Sequence, residues 1–272
     1  MTIAKLANFK GRLRLEPPTD GEAPTAKRNG HERPFRGELF SVNQLQRHAQ
    51  LVAGWHRVEP SRPSFAVHDR LLSRLAENHR LLRRQYELIA AAAKRGQRLT
   101  PAAEWFLDNY YLIEEQVRTA KRHLPRGFSR ELPRLASGPS AGLPRVYDIA
   151  LELISHVDGR ADPDSVRAFV SSYQTVAKLR LGELWAIPIM LRLALLENLR
   201  RVGQLMAANH RDAQRANEWV RRMLDVSTAD PGKIILVLAE MVKEDFSLNT
   251  AFVAEFAARL HGQGATLTLP LQ

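Results

Sequence analysis

From residue 41 onward the hydrophobic positions recur at spacings near 3.6 and almost nowhere at the two-residue spacing of a strand. Ser41 with Gln44 is a capping-box signature that predicts a helix to about Trp55. Asp69 predicts the start of a longer helix with the apolar stripe Leu71, Leu75, Leu82, Tyr86 and Ile89, ended by Gly96. Thr100-Pro101 is an N-cap followed by proline at the first helical position, where the missing N–H costs nothing. The helix behind it carries Trp105, Phe106, Tyr110, Ile113 and Val117. Further helices are expected from Arg145 to about Val157 and from Asp162-Pro163, the latter with Val166, Phe169, Val170 and Tyr173. Others are expected from Leu181 to about Asn209, and then from Asp212, Asp230-Pro231 and Ser247. Only the terminal TLTLPL has the look of a strand. The predicted fold class is all-α, an irregular multi-helix bundle of about seven to nine helices.

Two stretches break the pattern. Residues 1–40 hold four prolines and four glycines without an apolar period, which predicts a mobile leader. Residues 124–144 hold four prolines and three glycines, which predicts a Pro/Gly-rich ordered or semi-ordered connector. Structureless loops beyond about 12–15 residues tend to be functional or disordered, so its length is notable. The expected organisation is therefore a leader at 1–40, a basic helical part at 41–123, the connector at 124–144 and a second helical part at 145–272. Within that last part, 181–209 is read as a buried helix, because only Arg192 is charged between Leu184 and Leu196. Pro188 should kink it.

Charge sharpens this division. The net charge is +11, and all of the excess lies in residues 1–140, with 25 Lys and Arg against 14 Asp and Glu. Residues 141–272 balance at 15 against 15. Such asymmetry suits contact with an anionic partner, although an Arg-rich composition also simply decorates solvated helix faces. The most concentrated stretch is Arg118, Lys121, Arg122, Arg126, Arg130 and Arg134, six cations with one acid, Glu131, among them. These six are the candidate contact for an anion, a lipid headgroup or an acidic surface of another domain.

Candidate chemistry is sparse. With no cysteine there are no disulfides, thiolate ligands or cysteine nucleophile. No apolar run approaches the roughly 20 residues of a membrane-spanning helix, and no secretory signal is evident, so a cytosolic chain is expected. Neither nucleotide-binding glycine motif occurs, and no serine sits in a nucleophile elbow. Glu183 and Glu197 bracket the apolar run, but 14 residues of helix separate them by about 21 Å, beyond the reach of a paired-carboxylate mechanism. Glu197 reads more simply as an i,i+4 ion pair with Arg201. The nine histidines include His48, His56 and His156, yet none lies in a dense ligand motif. No catalytic residue, cofactor site or metal site is expected.

Four segments resemble a known family. The runs HLPRGFSRELPRLASGPSAGLPRVYDIALELISHVDGR (His123–Arg160) and LRLGELWAIPIMLRLALLENLRRV (Leu179–Val202) are similar to the N-terminal region of bacterial cyclic β-1,2-glucan synthases. So are AEWFLDNYYLIEEQVR (Ala103–Arg118) and RGELFSVNQLQRHAQ (Arg36–Gln50), in the same order. The resemblance covers about Arg36 to the C-terminus. It implies a piece of a very large inner-membrane glucosyltransferase that builds β-1,2-linked glucose chains from UDP-glucose and closes them into rings. The transferase, cyclising and membrane portions would lie downstream, and no family catalytic motif falls within the matching positions. The implied role is a cytosolic helical module that scaffolds or regulates, packed on those downstream portions or near an anionic inner leaflet.

Two other classes fit the residues alone. An Arg-rich helical protein can bind nucleic acid through phosphates, though no helix-turn-helix, zinc-finger or RNA-binding motif is present. A carbohydrate-binding helical domain would use Trp105, Tyr110, Tyr111 and Trp185, whose helical spacing points instead to core packing.

Overall fold

The computed structural model describes residues 37–59, 70–124, 127–243 and 250–262, without the side chains of Arg130 and Val242. Most of the expected leader, the Asp69 and Ser247 caps and the terminal TLTLPL lie outside the described residues. The described residues are all-α, as expected, with no strand beyond two isolated bridges.

Helix α1 (Val42–Trp55) starts at the expected capping box. The Gln44 amide N–H donates to the Ser41 hydroxyl, and the Ser41 N–H donates to the Gln44 side chain. Helix α2 (Arg70–Lys94) buries Leu71, Leu75, Leu82 and Ile89, while Tyr86 is only half-buried. The single helix expected after Thr100 is two: α3 (Pro101–Asp108) and α4 (Tyr110–His123). The break is at Asn109, whose side-chain amide donates to the Trp105 carbonyl at 2.8 Å and competes with the helical ladder.

From Gly127 onward the connector is ordered. After a single helical turn, α5 (Phe128–Glu131), it folds back on itself through the Leu135 N–H to Leu143 carbonyl and Gly142 N–H to Leu135 carbonyl bonds. It also pairs with the chain leaving α1, through the Ala136 N–H to Arg57 carbonyl and Glu59 N–H to Arg134 carbonyl bonds. Gly138 and Gly142 supply the left-handed backbone this reversal needs, at φ 87° and 75°. Leu132, Leu135 and Leu143 anchor it in the protein interior.

Helices α6 (Arg145–His156) and α7 (Pro163–Val176) follow as expected, α7 capped by the Asp162 carboxylate, which accepts from the N–H groups of Asp164 and Ser165. Helix α8 (Leu181–Ala229) is much longer than expected. At 49 residues it extends about 74 Å and passes through Asp212, where a new start was anticipated. Asp212 is followed by Ala213, Gln214 and Arg215, none of which breaks a helix, and one Asp in a helix interior costs only a fraction of a kcal/mol. Asp230 caps a 3-10 turn (Pro231–Lys233) that leads into α9 (Ile234–Lys243), and α10 (Thr250–Gly262) completes the described chain.

Three cores form along α8. The first joins α2, α3, α4 and α6 to the front of α8, around Leu82, Phe106, Tyr147, Ile154, Met190 and Leu193. It therefore draws on residues from both sides of the connector. The second packs α1 and α7 on the other side of α6, around Leu45, Val52, Ile149, Leu153, Phe169 and Tyr173. Helix α6 is thus apolar on two faces. The third is small, with Ala216, Trp219 and Met223 of α8 against Val237 and Phe252. Each fully buried large aliphatic side chain contributes roughly 1.5–3 kcal/mol, so the first two cores dominate stability. The expected burial of α8 all round is corrected: Trp185 is 75% exposed and Leu181 62%. The run is apolar on its outer face as well as its inner one.

Candidate functional site

The buried polar groups gather where α2, α6 and α8 meet. Glu197 on α8 is fully buried, and Arg74 of α2 grips both of its carboxylate oxygens. The Tyr147 hydroxyl of α6 donates to one of these oxygens, and Arg201 donates to the other at 2.8 Å. Burial works against the charge, but Arg74 above all, followed by Tyr147 and Arg201, outweighs it and holds the carboxyl at about 2. Burial, then the Glu197 charge, pushes the Tyr147 hydroxyl far above its ordinary range. The i,i+4 pair with Arg201 expected from sequence is present, as one arm of a larger network.

Glu183, also fully buried, is held the same way at the other end of the apolar run. Arg145 donates to both of its oxygens, at 2.6 and 2.8 Å, and to the Lys178 carbonyl at 2.7 Å. The Arg180 N–H completes the set at 2.8 Å. The hydrogen bonds it donates to Glu183 raise the Arg145 pKa in spite of desolvation. Each carboxylate is engaged by a bidentate guanidinium, and neither glutamate lines the apolar groove of about 410 Å³ beside α7, among Pro163, Val166, Val170, Ile187 and Leu191. Each glutamate ties α8 to a neighbouring helix, Glu183 to α6 and Glu197 to α2 and α6.

Three histidines make long-range carboxylate contacts. His56 sits between Asp148 and Tyr173: its Nε2–H donates to the carboxylate at 3.0 Å, and its Nδ1 is hydrogen-bonded to the Tyr173 hydroxyl at 2.8 Å. Burial is the main cause that pushes Tyr173 up to about 12. His79 of α2 meets Glu114 of α4 at 2.9 Å. Burial alone would raise the Glu114 carboxyl; the hydrogen bond and charge of His79 bring it below its ordinary value. The third, His48, meets Glu152 at 2.8 Å, and His156 lies beside them, so that one ligand atom from each of the three falls within 4.8 Å of the others. No metal cluster was expected from sequence. Glu152 and His156 are one helical turn apart, which was the available signal, but His48 lies 104 residues from Glu152.

The six sequence-designated cations are placed as follows. Arg118, Lys121 and Arg122 are exposed on α4. Arg134 is half-buried in the connector, its backbone bridged to Pro144. Arg126 lies outside the described residues, and Arg130 is described only in its backbone, within α5. Of the aromatics read as core, Tyr110 is buried and stacked on Tyr86 at 4.2 Å, while Trp105, Tyr111 and Trp185 are 55, 65 and 75% exposed. Core packing therefore accounts for one of the four.

These observations define an all-helical module whose buried ionic groups tie distant helices together. No protein-family model matches the chain. It is similar to the cyclic beta-(1,2)-glucan synthase NdvB of Rhizobium meliloti (strain 1021), 30% identical over 237 residues. That match covers 87% of this chain and 8% of the synthase. The resemblance to the N-terminal region of the cyclic β-1,2-glucan synthases is thereby supported over most of the chain. No helix of the described residues is long and apolar enough to cross a membrane.

Proposed function

We propose that this region is a scaffolding or regulatory module of a membrane-bound cyclic β-1,2-glucan synthase that uses UDP-glucose, acting on the cytoplasmic face of the inner membrane. The observation that carries the reading is the similarity to such a synthase over 87% of the chain. The geometry of Glu183 and Glu197 supports it, because both buried acids are committed to guanidinium partners on neighbouring helices. The transferase and membrane portions of the synthase are the partners in this reading. Contact runs through the exposed Arg118, Lys121 and Arg122, continued along the sequence by Arg126, Arg130 and Arg134. Reversing all six to Glu in the synthase that contains this region should weaken its co-purification with the remaining portions and lower glucan output. Unchanged co-purification would sink that placement. Binding of the isolated chain to anionic vesicles, lost in the same variant, would move the contact to the lipid surface.

A second reading is favoured by the exposure of Trp105, Tyr111 and Trp185, since aromatics on a protein surface can stack on sugar rings. In that reading the module holds the nascent glucan. Glucan retention by the chain, abolished by Trp105→Ala, Tyr111→Ala and Trp185→Ala together, supports it; no retention by the parent chain removes it.

A further inference from the structure

His48, Glu152 and His156 come from α1 and α6, and the backbone at residues 37–40 is strapped over them. The Gly37 N–H donates to the Ser155 carbonyl at 2.9 Å, and the Phe40 N–H to the His156 carbonyl at 3.1 Å. His156 Nδ1–H donates to the Glu38 carbonyl at 2.8 Å. A carbonyl only accepts, so this bond places the ring proton on Nδ1 and leaves Nε2 of a neutral His156 with a free lone pair. That Nε2 lies 3.9 Å from Glu152 Oε2, and the same oxygen is 2.8 Å from His48 Nε2. Phe40 stacks on the His156 ring at 4.0 Å, nearly parallel, and fixes its plane. Gly37 is needed for the strap to lie so close, because a Cβ there would stand 2.7 Å from the His156 ring.

From this geometry we propose that His48, Glu152 and His156 form a binding site for a divalent first-row transition metal, of which zinc is the representative. Two imidazoles and one carboxylate are a donor set for such ions, with a further position left to water. The Glu38 carbonyl holds the second N–H of His156, the outer contact that metal-ligating histidines commonly make. The two other histidine–carboxylate contacts lack this arrangement. His79 meets Glu114 alone, and His56 spends its second nitrogen on the Tyr173 hydroxyl. Metal binding would displace the proton that His48 Nε2 shares with Glu152 and clamp the strap and α1 to α6. The site stands apart from any role in glucan synthesis, so its failure leaves that reading untouched.

The test is a titration of the metal-free purified chain with Zn²⁺, followed by calorimetry and thermal unfolding. One ion per chain is expected, with unfolding raised by about 5 °C at a hundredfold excess of free metal over the dissociation constant. Co²⁺ in place of Zn²⁺ should give visible d–d absorption. His48→Ala and His156→Ala should each remove both signals, and Glu152→Gln, which keeps shape and size, should weaken binding at least tenfold. His79→Ala should leave both intact. Absence of saturable binding overturns the proposal and leaves an ion pair of His48 with Glu152. Binding unaffected by Glu152→Gln and by both histidine replacements overturns it equally, as metal held elsewhere.

Discussion

The front of α8 and its far end are held by different physics. At the front, Glu183 and Glu197 are fully buried and joined to arginines of α6 and α2 that lie 38 and 123 residues away in sequence. At the far end, the ion pairs Arg222–Glu240, Lys233–Asp230 and Arg259–Glu255 lie at the surface, and Ile235 and Leu236 are exposed on α9. A buried charge pair is expensive to desolvate and adds little net stability over an apolar pair, but removing one partner is severe. The front is therefore tied by buried ionic groups as well as its apolar core, the far end by a small apolar cluster and exposed ion pairs.

The largest way to break this contrast is Glu197→Ala. It opens a cavity, leaves the buried Tyr147 hydroxyl without its acceptor and removes the carboxylate that Arg74 and Arg201 share, and it should cost about 3 kcal/mol, measured by urea unfolding. The same carboxyl sets an acid limit. Its pKa falls from about 4.5 unfolded to about 2 folded, so its stabilisation is complete above the unfolded value and is lost as pH falls toward 2. That loss is on the order of 3 kcal/mol, and it should be absent from the acid limb of Glu197→Gln. A smaller effect probes the α2–α8 approach. At Gly203 an added Cβ would lie 2.2 Å from the buried Gln85 side chain, whose amide donates to the Arg200 carbonyl. Gly203→Ala should cost about 1–3 kcal/mol in thermal unfolding, whereas Gly54→Ala, with open space around it, should be neutral or stabilising by up to about 1 kcal/mol. The smallest effect belongs to the far end. Arg222→Ala removes the exposed pair with Glu240 and a contact 5.1 Å over Trp219, and should change stability by less than about 1 kcal/mol.

Helix starts were legible wherever a side chain caps locally. Ser41, Thr100 and Asp162 each accept the bonds their positions promised. The break at Asn109 was not, because it depends on a side-chain bond to Trp105 that the apolar spacing does not encode. The passage of α8 through Asp212 was missed for the opposite reason, a cap signal that the following helix formers overrode. Sequence spacing also sees partners only within a turn. It found Arg201 for Glu197 and missed Arg74 and Tyr147, just as it missed His48 beside Glu152 and His156. The outward-facing Trp185 was read as core because an apolar run carries no mark of which side will be covered.

The length of α8 has a mechanical consequence. Among the described residues, the last side-chain tie between α8 and the chain leaving α2 is at Gln214, whose amide donates to the Gln97 side chain at 2.7 Å, and about 22 Å of the helix continues from there to Ala229. A tilt of roughly 10° about that tie sweeps the tip through about 4 Å. Because α8 is one uninterrupted helix, Val237 and Phe252, which pack on its far part, are carried with any such tilt.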